Sequence, residues 1–330
     1  MLRGKGGDPT VKTTQASSNP YPHTDSNKRY YTYDYYMKKT FGGKCAKIPL
    51  DAGFTCPNID GRCGTGGCIY CSSGSAAHRE TAPLPLREQY RLHREQLSQK
   101  WSVERCIPYF QAHTNTYAPV STVKTICEEA AAYKGAVALS LATRADCLED
   151  EKLLYFDGLS RRIPVVLELG LQSASDETAR RINRGHDFAA FADAVARIRR
   201  LSPKVQICIH VINGLPGEGR EDMLETARRV AALRPDQVKI HLMHVLRDTP
   251  LGRMYEEGKY TPMTREEYVS VTVDQLELLP PDTVIGRLTG DGLSDELLAP
   301  DWSRKKTVVL NEIDKELYRR GTYQGIRYTP

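Results

Sequence analysis

Ala46-Lys-Ile-Pro-Leu50, then after five residues Cys56-Pro-Asn-Ile-Asp-Gly-Arg-Cys63-Gly-Thr-Gly-Gly-Cys68-Ile-Tyr-Cys71, is the stretch on which the reading turns. The first run is short and apolar, as a buried strand of a parallel sheet is expected to be. The second is a glycine-rich loop at that strand's carboxyl end, where barrel folds place their active sites. Gly61, Gly64, Gly66 and Gly67 let the backbone fold back freely enough for several cysteines to converge. Thiolates so gathered hold an iron–sulfur cluster. Spacings of six, four and two residues also suit a structural zinc site. Cys68 and Cys71 alone could form a redox dithiol, although such pairs usually open a helix in a thioredoxin-like unit.

Outward from this loop, apolar or β-branched runs alternate with amphipathic stretches, the rhythm of successive βα units. Strands are predicted at residues 46–50, 106–112, 136–141, 164–170, 205–212 and 237–243. Phe188–Arg200 reads as a helix capped by Asp187, with Phe191, Val195 and Ile198 on one stripe. A second runs from about Glu221 to Leu233 after the Pro216-Gly217 turn, and a third spans Arg265–Leu279. Six units predict an α/β fold, a partial (β/α)6 TIM-type barrel, where eight would close the full version. Beyond it, residues 283–330 form a short C-terminal α/β extension, with a strand at Thr283–Leu288 and a charged helix near Ser303–Arg320. Residues 1–28 hold almost no large apolar side chain and are predicted to be a disordered tail, leaving 29–282 as the core domain.

The composition, 40% hydrophobic and 26% charged over 330 residues, is that of an ordinary globular chain. No window approaches the roughly 18 apolar residues of a membrane span. The N-terminus lacks the apolar core of a secretory signal, so a cytoplasmic location is expected. In that reducing setting the nine cysteines serve as ligands, catalytic groups or core more often than as disulfides. Of them, Cys45, Cys106, Cys127, Cys147 and Cys208 lie scattered and read as core. The net charge of +5 concentrates at the two ends, each about +3, and basic ends can approach phosphate.

Six blocks carry a resemblance. They are Cys56 to Cys71; Tyr109-Phe-Gln-Ala-His-Thr-Asn-Thr-Tyr-Ala-Pro119; Leu167-Glu-Leu-Gly-Leu-Gln-Ser173; Arg181-Ile-Asn-Arg-Gly-His186; Gly214-Leu-Pro-Gly-Glu218; and Arg287-Leu-Thr-Gly-Asp-Gly292. With them the chain resembles the YhcC/YtqA-type radical S-adenosylmethionine (SAM) proteins, relatives of the elongator catalytic subunit and of oxygen-independent coproporphyrinogen oxidase. The resemblance implies a [4Fe–4S] cluster on Cys56, Cys68 and Cys71, with Cys63 outside the ligand set and Tyr70 near the adenine. SAM would occupy the open iron. Its reductive cleavage, by an electron donor such as flavodoxin or ferredoxin, would release a 5′-deoxyadenosyl radical that abstracts hydrogen from substrate.

The same resemblance assigns further contacts. Gln111-Ala-His-Thr114 stands where the family carries a glycine-rich motif facing the SAM amino group, though the paired glycines are missing. Gln172 and Arg184 match positions that hold ribose and carboxylate, chemistry an amide and a guanidinium suit. The Ser140 to Arg144 segment falls near the adenosyl group, with Ala142 and Ala145 where relatives show Gly and Pro. Glu168 faces the cavity or pairs with a basic neighbour, and His210 reads as a satisfied core residue. Gly214 to Glu218 forms a tight turn shaping the adenine pocket. Relatives act on the C5 side chain of wobble uridine, so tRNA is the expected substrate. The run Tyr30-Tyr-Thr-Tyr-Asp-Tyr-Tyr36 would offer stacking faces, and Arg304, Lys305, Lys306, Arg319, Arg320 and Arg327 phosphate contacts. A small-molecule or protein substrate, or a non-catalytic metal-stapled RNA-binding module, fits the same residues.

Overall fold

The structure, a computed structural model, describes residues 19–72, 80–290 and 295–330. Helix α1 (Tyr33–Phe41) starts at Thr32, whose hydroxyl accepts from the Tyr35 amide at 3.2 Å, and ends at Gly42 with φ 71°. There follow β1 (Cys45–Leu50), α2 (Leu86–Ser98), β2 (Arg105–Phe110), α3 (Val120–Ala131), β3 (Leu139–Thr143) and α4 (Asp150–Ser160). Next come β4 (Val165–Gln172), α5 (Asp176–Arg181), α6 (Phe188–Leu201), β5 (Gln206–Asn213), α7 (Arg220–Ala232) and β6 (Gln237–Leu242). The chain ends with β7 (Val245–Leu246), α8 (Pro250–Glu256), α9 (Arg265–Leu278), β8 (Val284–Arg287), β9 (Leu297–Ala299) and α10 (Lys306–Arg319).

Seven strands pair in parallel in the order β1-β2-β3-β4-β5-β6-β8, a curled half-barrel, while β7 and β9 form a small antiparallel pair. The strand at 284–287 thus joins the main sheet through Val238 and Ile285, so the sheet crosses the boundary expected at residue 283. One face of each strand packs on the helices. Ile48, Phe110, Leu141, Leu167, Leu169, Ile207 and Ile209 are at most 2% exposed, and Phe191 and Ile198 of α6 lie in the same core. Cys106, Cys127, Cys147 and Cys208 are buried free thiols.

The expected tail ends earlier than residue 28. Residues 1–18 lie outside the described residues, but Tyr21 is buried and its hydroxyl donates to the Pro281 carbonyl at 2.6 Å. Asn19 bonds the Lys28 carbonyl at 2.7 Å, and Lys28 pairs with Asp314. One aromatic ring and one ion pair are enough to hold this polar segment down. Within the tyrosine run Tyr30 is buried, and Tyr31, Tyr33, Tyr35 and Tyr36 are half-buried. Tyr30 is in the core, the Tyr31 carbonyl accepts from the Ile285 amide, and the Tyr36 hydroxyl accepts from Gln206 at 2.6 Å. With these contacts α1 and the residues before it bridge β8 and β1, the two sheet edges, which would otherwise expose unpaired backbone. Likewise Arg319 pairs with Glu316, Arg320 with Glu316 and Asp274, and Arg327 with Glu277, so these three expected phosphate contacts are engaged within the chain. Among the described residues no helix is long and apolar enough to cross a membrane.

Candidate active site at the mouth of the half-barrel

The loop after β1 is folded by its own backbone and clamped from outside. The Ile59 and Asp60 amides donate to the Cys56 carbonyl, Cys63 to Pro57, Gly67 to Asn58, and Cys71 to Cys68, all between 2.8 and 3.2 Å. Asn183, left-handed at φ 54°, donates its amide to the Gly67 carbonyl at 2.7 Å and the Thr65 carbonyl at 3.1 Å. The Asn58 amide returns a bond to the Asn183 carbonyl. A Cβ at Gly64 would stand 2.3 Å from Asn58 Oδ1, so this glycine is required by close approach. Sequence reading missed the paired asparagines, although Asn58 and Asn183 lie within two of the blocks quoted above.

Three sulfurs meet. Cys68 is buried, and Cys71 donates a side-chain hydrogen bond to it while lying within the field of Cys56. That bond first, and the Arg184 guanidinium next, hold the Cys68 thiol well below its ordinary value, while donating the bond keeps the proton on Cys71 and pushes that thiol up. Asn58 Nδ2 lies 3.7 Å and Arg184 Nη1 3.9 Å from Cys68 Sγ. Cys63 turns elsewhere: it is exposed, and its sulfur sits 3.5 Å from Asp146 Oδ2. Tyr70 packs with Ile182, Leu215 and Met243, and burial raises its hydroxyl far above the usual range.

The other expected contacts divide between two levels. Arg184 and Gln172 come together at the mouth: a Cβ built on Gly170 would lie 3.0 Å from Arg184 Nη2 and 2.6 Å from Gln172 Nε2. Gln172 has φ 74° where the β4–β5 register shifts, which turns its side chain out of the strand's alternation. Arg144 lies beside them but is occupied, with Nε and Nη2 on the Asp146 carboxylate at 2.8 and 2.7 Å and Nη1 on the Arg184 carbonyl at 2.8 Å. Gln111 follows β2, its amide bonded to the Leu50 carbonyl at 3.1 Å. Although the paired glycines are missing, Ala112 and His113 adopt φ of 68° and 53°, and the Thr114 amide bonds the Thr55 carbonyl next to Cys56. The backbone takes the left-handed turn that glycines would make easy.

Ser140 and Glu168 are not brought to the loop. They lie in the lumen, Ser140 Oγ donating to Glu168 Oε1 at 2.6 Å and His210 Nε2 meeting Oε2 at 2.8 Å, while Lys47 and Lys239 pair with the same carboxylate. Glu168 belongs four residues before Gln172, about 13 Å down the strand. Burial opposes its charge, but Lys239 and Lys47 outweigh it and hold the carboxyl well below the usual range. Burial first, then Lys239, brings His210 down to about 4, so its ring is neutral. At the turn after β5, Arg181 Nη1 donates to the Pro216 carbonyl at 2.9 Å, and Tyr260 to the Gly214 carbonyl at 2.6 Å.

The mouth fits an iron–sulfur cluster with a small polar ligand. Three thiols stand on one short loop, the Arg184 guanidinium faces Cys68, and Asn58 Oδ1, Thr114 Oγ1 and Arg184 Nε are buried without a partner. Cys56, Cys68 and Cys71 could hold such a cluster; Gln172, Arg184 and the Gln111 turn could hold the ligand.

Comparison with known proteins bears on this arrangement. The Radical SAM superfamily profile matches residues 58–230, and the Radical_SAM C-terminal domain profile matches 235–319. YtqA of Bacillus subtilis (strain 168) is 41% identical over 309 residues, 93% of this chain and 95% of that one. The tRNA uridine(34) acetyltransferase of Dehalococcoides mccartyi (strain CBDB1) is 31% identical over 173 residues, 49% of this chain and 36% of that one. Among solved structures, the archaeal Methanocaldococcus infernus Elp3 with residues 1–46 deleted superposes with a TM-score of 0.61 at 17% identity, covering 85% of this chain and 64% of that one. At that identity the likeness is one of fold. A profile match over half the chain and kinship with YtqA along nearly its whole length make this chain a member of the radical SAM superfamily, enzymes that work with a [4Fe–4S] cluster and SAM.

Proposed function

We propose that this radical SAM enzyme modifies the C5 side chain of wobble uridine in tRNA. The observation that carries the reading is the 31% identity, over 173 residues, to a protein whose name assigns it to uridine 34. The Elp3 likeness of fold is consistent with it.

In this reading Cys56, Cys68 and Cys71 hold the cluster and Cys63 stays outside it. Arg184 stands beside Cys68, placed to pair with the SAM carboxylate, and Gln172 offers its amide to the ribose. Arg144, held by the Asp146 carboxylate, positions Arg184 by donating to its carbonyl. The left-handed Gln111 turn presents backbone groups to the SAM amino group. When bound, the cofactor pair supplies reductive cleavage of SAM to an adenosyl radical, with the electron from a donor such as flavodoxin or ferredoxin. The protein's remaining task is to exclude water and oxygen from the mouth.

The test compares tRNA nucleosides, by mass spectrometry, from cells with and without the gene. A changed wobble-uridine side chain is expected, and an unchanged profile sinks the tRNA reading in favour of a small-molecule or protein substrate.

A further inference from the structure

We propose that the lumen beneath the mouth is a binding site for an anionic group of the substrate, held by the ammonium groups of Lys47 and Lys239. It rests on the reading that substrate is presented at the mouth, and it names one chemical feature of that substrate.

Lys47 comes from β1 and Lys239 from β6, and they reach across the curl of the sheet to one carboxylate. Lys47 pairs with Glu168 Oε1 and Lys239 with Oε2; the Glu168 and Lys239 side chains are 0% and 7% exposed, and that of Lys47 is 22% exposed. Ser140 and His210 complete the carboxylate, one on each oxygen, so its acceptor positions are filled. Five titratable groups around the lysines are neutral, and Arg287, in register with Lys239 on the neighbouring strand, adds a third cation near Tyr109 and His241. Burial pushes the Tyr33 hydroxyl and the Cys208 thiol up to about 12 and keeps the Tyr109 hydroxyl protonated, while His210 and His241 are held in their uncharged forms. Among the described residues, Lys47 and Lys239 therefore share one carboxylate in a largely buried layer. Each ammonium has three donors and spends one on Glu168.

A buried carboxylate shared by two ammonium groups leaves positive charge that an anion would offset. The Tyr109 ring lies 4.7 Å from Lys47 Nζ and 4.9 Å from Lys239 Nζ, which holds the two heads on one aromatic face. A cation is the wrong guest. Glu168, Cys208 and His210 do offer ligand atoms within 4.8 Å of one another, but the carboxylate is already taken by two ammonium groups. A carboxylate or a phosphate shares the required chemistry, and the residual exposure of Lys47 gives it access.

The experiment titrates the reconstituted full-length enzyme calorimetrically, in chloride-free buffer, with acetate and separately with inorganic phosphate. Saturable binding of at least one is expected, and which one binds distinguishes a carboxylate from a phosphoryl group. Lys239→Gln should weaken it by at least about tenfold, and Lys239→Arg should restore it. Glu168→Gln should tighten it by about tenfold, a gain that a purely structural carboxylate would not produce. Absence of saturable binding in the wild type, or equal affinity in Lys239→Gln, overturns the proposal; if that variant does not fold, Lys47→Gln decides by the same criterion. The nucleoside comparison is independent: a gene-dependent wobble uridine with no anion site removes this inference alone, and an anion site without a tRNA effect removes the tRNA reading alone.

Discussion

Cys68 is the residue on which the mouth converges: buried, bonded by Cys71 and faced by Arg184 and Asn58. Cys63, five residues earlier, faces Asp146 and solvent. The two should behave oppositely. After anaerobic reconstitution, Cys68→Ala is expected to lose nearly all bound iron and sulfide, whereas Cys63→Ala keeps a wild-type complement. Equal loss in both, by metal analysis, would overturn the ligand set. The cysteine spacing was legible because it is covalent and local. The asparagine clamp was not, since 125 residues separate Asn58 from Asn183. Nor was the pairing of Glu168, where a carboxylate on a strand says nothing about which lysines reach it.

At the scale of elements, helix periods and strand positions could be read closely: α6, α7 and α9 begin and end within a residue or two of the prediction. Amphipathic spacing records which face is buried, whatever it is buried against. The strands carried a second message. In Gln237-Val-Lys-Ile-His241 and Cys208-Ile-His210, polar and apolar residues alternate, the mark of a sheet whose inner face is polar. That alternation was the available signal for the lumen layer. Helix α1 was hidden among tyrosines because its role is to bridge sheet edges far apart in sequence. Met37, 3% exposed against Ile107 and Ala138, is its anchor. Met37→Ala should lower the unfolding free energy by about 2–5 kcal/mol, read as a lower urea midpoint with the cluster still assembled. An unchanged midpoint would mean that α1 contributes little to the fold.

For the whole molecule, the lumen makes stability depend on pH. His210 binds its proton at about 4 when folded and near 6.5 when unfolded, so the unfolded chain takes up protons first. Its contribution is intact above about 6.5 and falls as pH drops toward 4. Glu168, depressed in the fold, acts in the same direction at lower pH: its stabilisation is present above the unfolded carboxyl value and disappears as the folded group titrates. Between pH 7.5 and 5, His210 alone should cost on the order of 2 kcal/mol. Because His186, His241 and His244 are depressed in the same direction, His210→Gln should reduce the slope in urea titrations by that share only. An identical slope in the variant would place the sensitivity elsewhere.

The cysteine loop, the βα rhythm, and the helix and strand periods are properties of neighbouring residues, and the chain by itself determined them. Hence the half-barrel and the family were readable before any coordinate. What the tertiary structure decided is which distant side chains share a space: Asn183 on the loop, Arg184 beside Gln172, Lys47 and Lys239 on one carboxylate. Curling a parallel sheet brings its first and sixth strands face to face, and no pattern within either strand encodes that meeting.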